Sequence, residues 1–216
     1  MKENITIKET LWAAAGSFSA VLVLTLFLDP GNDLFTQSGY SFFKNVFFTN
    51  ITFMGDSIFA FAVAALLIFL FNRQDMGIKL LFAILISLFI TQLIKNIFSD
   101  TPVQLFFEKN SYYFNDTSAL NNIISSHVTI AFTLAAFFSV HTKKTIIRIL
   151  LFSIAGLVAF SRIYIVQENI YVLIPGILTA AVSVILMMKI SAGKNKALII
   201  KRKKHQATVP ENFSWY

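Results

Sequence analysis

Apolar residues fall along this chain in long runs, and polar residues gather in short clusters between them. A bilayer hydrocarbon core about 30 Å thick takes roughly 20 apolar residues of helix. The first run, Leu11 to Leu28, fits that length and ends on Asp29-Pro30-Gly31-Asn32, which breaks a helix. It does not read as a cleaved leader: Ala13-Ala14-Ala15 opens the run, and no small-residue site follows Leu28. A second run, Ile58 to Phe71, is introduced by Gly55-Asp56 and stopped by Asn72-Arg73-Gln74-Asp75. A third goes from about Ile78 to Ile94, and a fourth from Val128 to Val140.

From Ile146 to Met188 the chain is almost continuously apolar, a helix about twice the membrane thickness if left unbroken. Its polar interruptions are Ser161-Arg162 and Gln167-Glu168-Asn169, so a turn is expected there, giving a fifth and a sixth span. The expected architecture is all-α and polytopic, with spans at about 11–28, 55–71, 78–95, 127–140, 146–162 and 170–189. These form one membrane domain over 1–191, followed by a basic, loosely ordered tail over 192–216.

Composition agrees with that pattern. Hydrophobic residues make up 56% of the chain and charged residues 13%, with a mean hydropathy of +0.69. A soluble globule carries about 25% charged residues, so much of this exterior must face something other than water. The absence of cysteine excludes disulfides, thiolate metal sites and cysteine nucleophiles.

The net charge of +7 matters through its distribution. Lys2, Lys8, Arg73, Lys79, Lys143, Lys144, Arg148, Lys189 and the cluster of Lys and Arg beyond it fall on one side of the expected bundle. Lys44, Lys95, Lys109 and Arg162 fall on the other. The positive-inside rule then places both termini in the cytoplasm; the expected location is a bacterial inner (plasma) membrane. The basic tail reads as a retention and lipid-headgroup feature, not a nucleic-acid site.

Two loops, at about 29–53 and 96–126, face outward. The second carries Phe106, Phe107, Tyr112, Tyr113 and Phe114 and reads either as an interfacial anchor or as a lid over a lipid-facing pocket.

Chemistry-bearing residues gather at the outward helix ends. Lys95 closes the third span, Ser125-Ser126-His127 opens the fourth, and Arg162 and Glu168 flank the last turn. Each has a plain structural reading: a lysine reaching to the interface, a serine capping a helix, an interfacial histidine, an ion pair at a turn. Together they suit an anion. A helix N-terminus favours phosphate, lysine adds a point charge, arginine adds a fork, and His127 can donate a proton to a leaving oxygen.

Over roughly Asn50 to Gly176 the chain resembles the type 2 phosphatidic acid phosphatase superfamily, the six-span lipid phosphatases related to vanadium haloperoxidases. The resemblance rests on Ile51-Thr52-Phe53-Met54-Gly55-Asp56, Leu93-Ile94-Lys95-Asn96, Ser125-Ser126-His127 and Ser161-Arg162-Ile163-Tyr164. It implies a six-helix bundle of that family. The family's motifs are K-x6-R-P, P-S-G-H and S-R-x5-H-x3-D. By this resemblance Lys95, Ser125 and Arg162 are phosphate contacts, with Ser126 beside them at the glycine position, and His127 is the proton donor to the leaving alcohol.

The pattern is incomplete. Pro102 and Val103 stand where the first motif has Arg-Pro, Ile124 replaces the proline of the second, and Glu168 replaces the nucleophilic histidine. Val172 replaces the aspartate that orients that histidine, and the remaining histidines, His141 and His205, fall on the cytoplasmic side. A carboxylate about 4 Å from a bound anion costs roughly 4 kcal/mol at an effective dielectric near 20, so Glu168 is expected to pair with Arg162 or Lys95 and close the site.

The sequence therefore predicts a catalytically degenerate, lipid-phosphatase-like membrane protein. It binds membrane lipids or a membrane-protein partner through an outward-facing vestigial site, without metal, cofactor or nucleic acid. The alternative is a working phosphatase or phosphotransferase acting on a phospholipid, an isoprenyl (pyro)phosphate or lipid A. There His127 is the acid, and Glu168 or a directly activated water attacks.

Overall fold

The computed structural model describes residues 42–98, 123–164, 168 and 170–208, all of the regular structure among them helical. The helices are α1 (Phe42–Phe53), α2 (Ser57–Phe69), α3 (Gln74–Phe98), α4 (Ser126–His141), α5 (Thr145–Tyr164) and α6 (Ile170–Thr208). Among the described residues, three segments are long and apolar enough to cross a membrane: Gln74–Phe98, Thr145–Ile163 and Val172–Gly193. Val46–Phe53 and Ser57–Phe69 make a fourth if they are taken as one span bent by 54°. α4 is shorter, at 16 residues. The expected span at 11–28 lies outside the described residues, as do most of both outward loops.

Three boundaries differ from the sequence reading. Residues 42–53, expected as loop, are helical. Phe47 and Phe48 on this helix lie edge to face, and Phe48 packs on Phe160 of α5 with ring centroids 5.5 Å apart. That packing, with the Asn50 amide donating to the Val46 carbonyl at 2.7 Å, makes a helix of a segment too short to span alone. α3 runs to Phe98, past the expected end of its span. α6 stays helical to Thr208, where a loosely ordered tail was expected from about residue 192. Its Ala, Lys, Leu and Arg content favours helix, and no proline interrupts it after Pro175.

The turns follow local chemistry. Asp56 caps α2 by accepting from the Ile58 N–H at 3.2 Å. Asn72, at φ 50°, takes the left-handed conformation that asparagine tolerates and reverses the chain between α2 and α3. Arg148 donates to the carbonyls of Ser139 and Thr142 at 3.1 and 3.0 Å through Nε, closing the C-terminal end of α4.

α4 is the central element, apolar on every side and packed on α2, α3, α5 and α6. Val128, Ala131, Phe132 and Ala135 meet Ala155, Val158 and Ala159 of α5 and Leu173, Ile177 and Ala180 of α6. Ile130, Leu134 and Phe137 meet Ala60, Ala64, Leu80, Ala83, Ile84 and Val184. Alanines at the contacts let the helices approach closely, as in membrane bundles. The hydroxyls of Thr129 and Thr133 return to carbonyls four residues back, each at 2.7 Å, so no water is needed to satisfy them. The outer surfaces are apolar too: Phe69, Phe89, Ile146 and Ile149 are all exposed, which suits lipid.

Candidate functional site

The site forms at one end of the bundle, around the first turn of α4. Ser125 is fully buried. Its Oγ accepts from the Val128 N–H at 3.2 Å, and its own N–H donates to the Val172 carbonyl of α6 at 3.1 Å. Its carbonyl takes both the N–H and the hydroxyl of Thr129, at 3.0 and 2.7 Å. Its hydroxyl is thus committed to capping the helix. Ser126, the next residue, is half-buried and accepts from Lys95 Nζ at 3.0 Å. Lys95 sits in the last turn of α3, where its charge also suits that helix's C-terminus.

Arg162 occupies the last turn of α5, and Glu168 the connection to α6. The Arg162 Nη2 donates to Glu168 Oε1 at 3.1 Å, with the two side chains 12% and 4% exposed. The Glu168 N–H also donates to the Arg162 carbonyl at 3.3 Å, folding the turn onto itself. The second carboxylate oxygen, Oε2, is buried without a hydrogen-bond partner among the described residues.

Lys95, His127, Arg162 and Glu168 form one electrostatic cluster. The charges of Glu168 and Arg162 act on both Lys95 and His127, and Asp56 acts on His127 from the cap of α2. The groups so coupled are two cations, two carboxylates and one imidazole. Among the described residues no three His, Cys, Asp or Glu side chains gather as a metal site.

Close packing fixes this geometry. A Cβ on Gly55 would stand 2.7 Å from the His127 carbonyl oxygen, and one on Gly176 would stand 3.1 Å from that of Ser125. The α1–α2 turn and the start of α6 therefore rest directly on the first turn of α4. Ser161 is also buried. It donates to the Val158 carbonyl at 2.7 Å and lies 2.7 Å from the Thr52 hydroxyl, tying α5 to α1.

All six residues singled out in the sequence thus lie at this end of the bundle. His141 lies in the last turn of α4, about 21 Å along the helix from His127 at 1.5 Å per residue. His205 lies near the far end of α6. Pro102 and Val103 fall outside the described residues. Thr52, Gly55 and Asp56 contribute to the site without having been singled out. They stand in the segment that carries the resemblance, and Asp56 before an apolar run marks a helix start, but no spacing rule separates a bridging threonine from its neighbours.

A sequence profile of the family described as the PAP2 superfamily matches residues 76–196, more than half of the chain. The fold is similar to that in a crystal structure of LpxE from Aquifex aeolicus. The TM-score is 0.56 and the identity 24%, over 73% of this chain and 92% of that one. No curated protein sequence matches.

Proposed function

Since the chain belongs to the PAP2 superfamily, we propose that it is a lipid-phosphatase-like membrane protein that binds a lipid head group without hydrolysing it. The observation that carries this is the Arg162–Glu168 pair. The position that family resemblance gives to an attacking histidine holds a buried carboxylate, and that carboxylate occupies the arginine that would otherwise hold phosphate. Val172 brings only a backbone carbonyl to Ser125, in place of a carboxylate that could orient an attacking imidazole. A phosphohistidine intermediate, formed and then hydrolysed, has no second imidazole to form on: His127 is read as the proton donor, and His141 lies at the other end of α4.

In this reading Lys95, Ser126 and His127 face the ligand, Ser125 holds the helix that presents them, and Arg162 is restrained by Glu168. The site faces outward, both termini are cytoplasmic, and 192–216 forms a basic extension at the inner leaflet. Family membership keeps the catalytic alternative concrete, with His127 as acid and Glu168 as nucleophile or base.

The two readings part in one assay: phosphate release from phosphatidic acid, an isoprenyl pyrophosphate and lipid A by the purified protein in detergent. Non-hydrolytic binding predicts release no greater than from His127→Ala. Release abolished in both His127→Ala and Glu168→Ala overturns it in favour of the enzyme.

A further inference from the structure

Glu168 is nine-tenths buried, yet only one of its carboxylate oxygens has a partner. A buried acceptor left without a donor is costly, the more so when charged, so such an oxygen is suited to a donor brought by a ligand. The charge balance limits what that ligand can be. Among the described residues, both cations, Lys95 and Arg162, and both carboxylates, Glu168 and Asp56, act on His127. A phosphate monoester, carrying close to two negative charges at neutral pH, brings no group that pairs with either carboxylate. A phosphodiester that also carries an ammonium adds no net charge and can engage both signs.

We infer that the site takes the head group of a phosphodiester lipid bearing a primary ammonium, the phosphate at Lys95 and Ser126 and the ammonium at Glu168 Oε2. Lys95 commits one N–H to Ser126 and, as an ammonium with three donors, has others for a phosphodiester oxygen. The N-terminal turn of α4 adds its dipole there. The lipid's ammonium supplies the hydrogen bond that Oε2 lacks, while Oε1 stays on Arg162. A quaternary ammonium has no N–H to give and leaves Oε2 unsatisfied, so the site distinguishes the two amines. This inference rests on the non-hydrolysing reading above and names the lipid class it would bind.

The test is a titration of delipidated full-length protein in detergent, read by native mass spectrometry. The ligands are phosphatidylethanolamine, phosphatidylcholine, phosphatidylglycerol and phosphatidic acid with identical acyl chains. Phosphatidylethanolamine is expected to bind about tenfold tighter than phosphatidylcholine or phosphatidylglycerol. Glu168→Gln is expected to erase that preference and to favour phosphatidic acid, because the carboxylate that repels a monoester dianion is gone. Lys95→Met is expected to weaken phosphatidylethanolamine and phosphatidylglycerol alike.

Equal affinity of the unsubstituted protein for phosphatidylethanolamine and phosphatidylcholine overturns the inference, and that comparison depends on no variant folding. Inorganic phosphate is measured in the phosphatidic acid arm of the same preparation. Release that depends on His127 defeats the non-hydrolysing reading, whereas an absent amine preference without release defeats the head-group inference alone.

Discussion

Arg162 and Glu168, six residues apart, meet at 3.1 Å across the turn between α5 and α6, both largely removed from solvent. Removing one partner of a buried pair leaves an uncompensated charge, which costs about 3–5 kcal/mol, whereas replacing both with apolar residues is often neutral or stabilising. Glu168→Leu alone is therefore expected to lower the melting temperature in detergent clearly. Arg162→Leu with Glu168→Leu is expected to recover most of that loss. A double variant that melts no higher than Glu168→Leu would show that the pair does not hold this turn.

Two glycines in the same bundle are expected to respond oppositely to alanine. At Gly55 the added methyl meets the His127 carbonyl oxygen at 2.7 Å and Val158 Cγ1 at 2.8 Å. Backbone cannot yield as a flexible side chain does, so overpacking by about 1–3 kcal/mol follows. At Gly156, inside α5, nothing lies within 4 Å, and alanine gains up to about 1 kcal/mol of helix propensity. Thermal unfolding followed by tryptophan fluorescence should place Gly55→Ala below the unsubstituted protein and Gly156→Ala level with it or above.

The adjacent serines at the head of α4 do different work. Ser125 is fully buried and caps the helix, so Ser125→Ala is expected to cost about 1 kcal/mol of stability. Ser126 accepts from Lys95, and Ser126→Ala is expected to weaken lipid binding with little change in melting temperature. Paired melting and native mass spectrometry measurements distinguish them. A large binding loss without destabilisation in Ser125→Ala would make that residue a ligand contact instead.

Much of this arrangement could be read from the chain. Gly55-Asp56 before an apolar run gives a cap, Asn72 to Asp75 gives a reversal, and Ser125 before Val128 gives an N-terminus, because each is set by residues within a few positions. The juxtaposition of Lys95, His127, Arg162 and Glu168 was legible because all four lie at helix ends on one side of a bundle. What escaped depends on contacts distant in sequence. The Thr52–Ser161 bond joins residues 109 positions apart, and nothing local marks Thr52 for it. Helix α1 escaped because its stabilisation comes from packing such as Phe48 on Phe160. The 12-residue segment is too short to be marked as a span by hydropathy.

The orientation argued from basic residues can be tested on one helix. Asp75, 85% exposed, and Asn96, also exposed, lie near opposite ends of α3. They are separated by about 32 Å at 1.5 Å per residue, close to the thickness of a hydrocarbon core. The chain has no cysteine, so Asp75→Cys and Asn96→Cys each report on a single thiol. In intact cells a membrane-impermeant maleimide is expected to label Asn96→Cys and spare Asp75→Cys until the membrane is permeabilised. The reverse pattern would turn the bundle over and put the site of Lys95 and His127 on the cytoplasmic face. Labelling of both in intact cells would mean that α3 does not cross the membrane. The expected result leaves Arg73 and Lys79 on the inner side and Lys95 on the outer, where only a lipid of the outer leaflet reaches it.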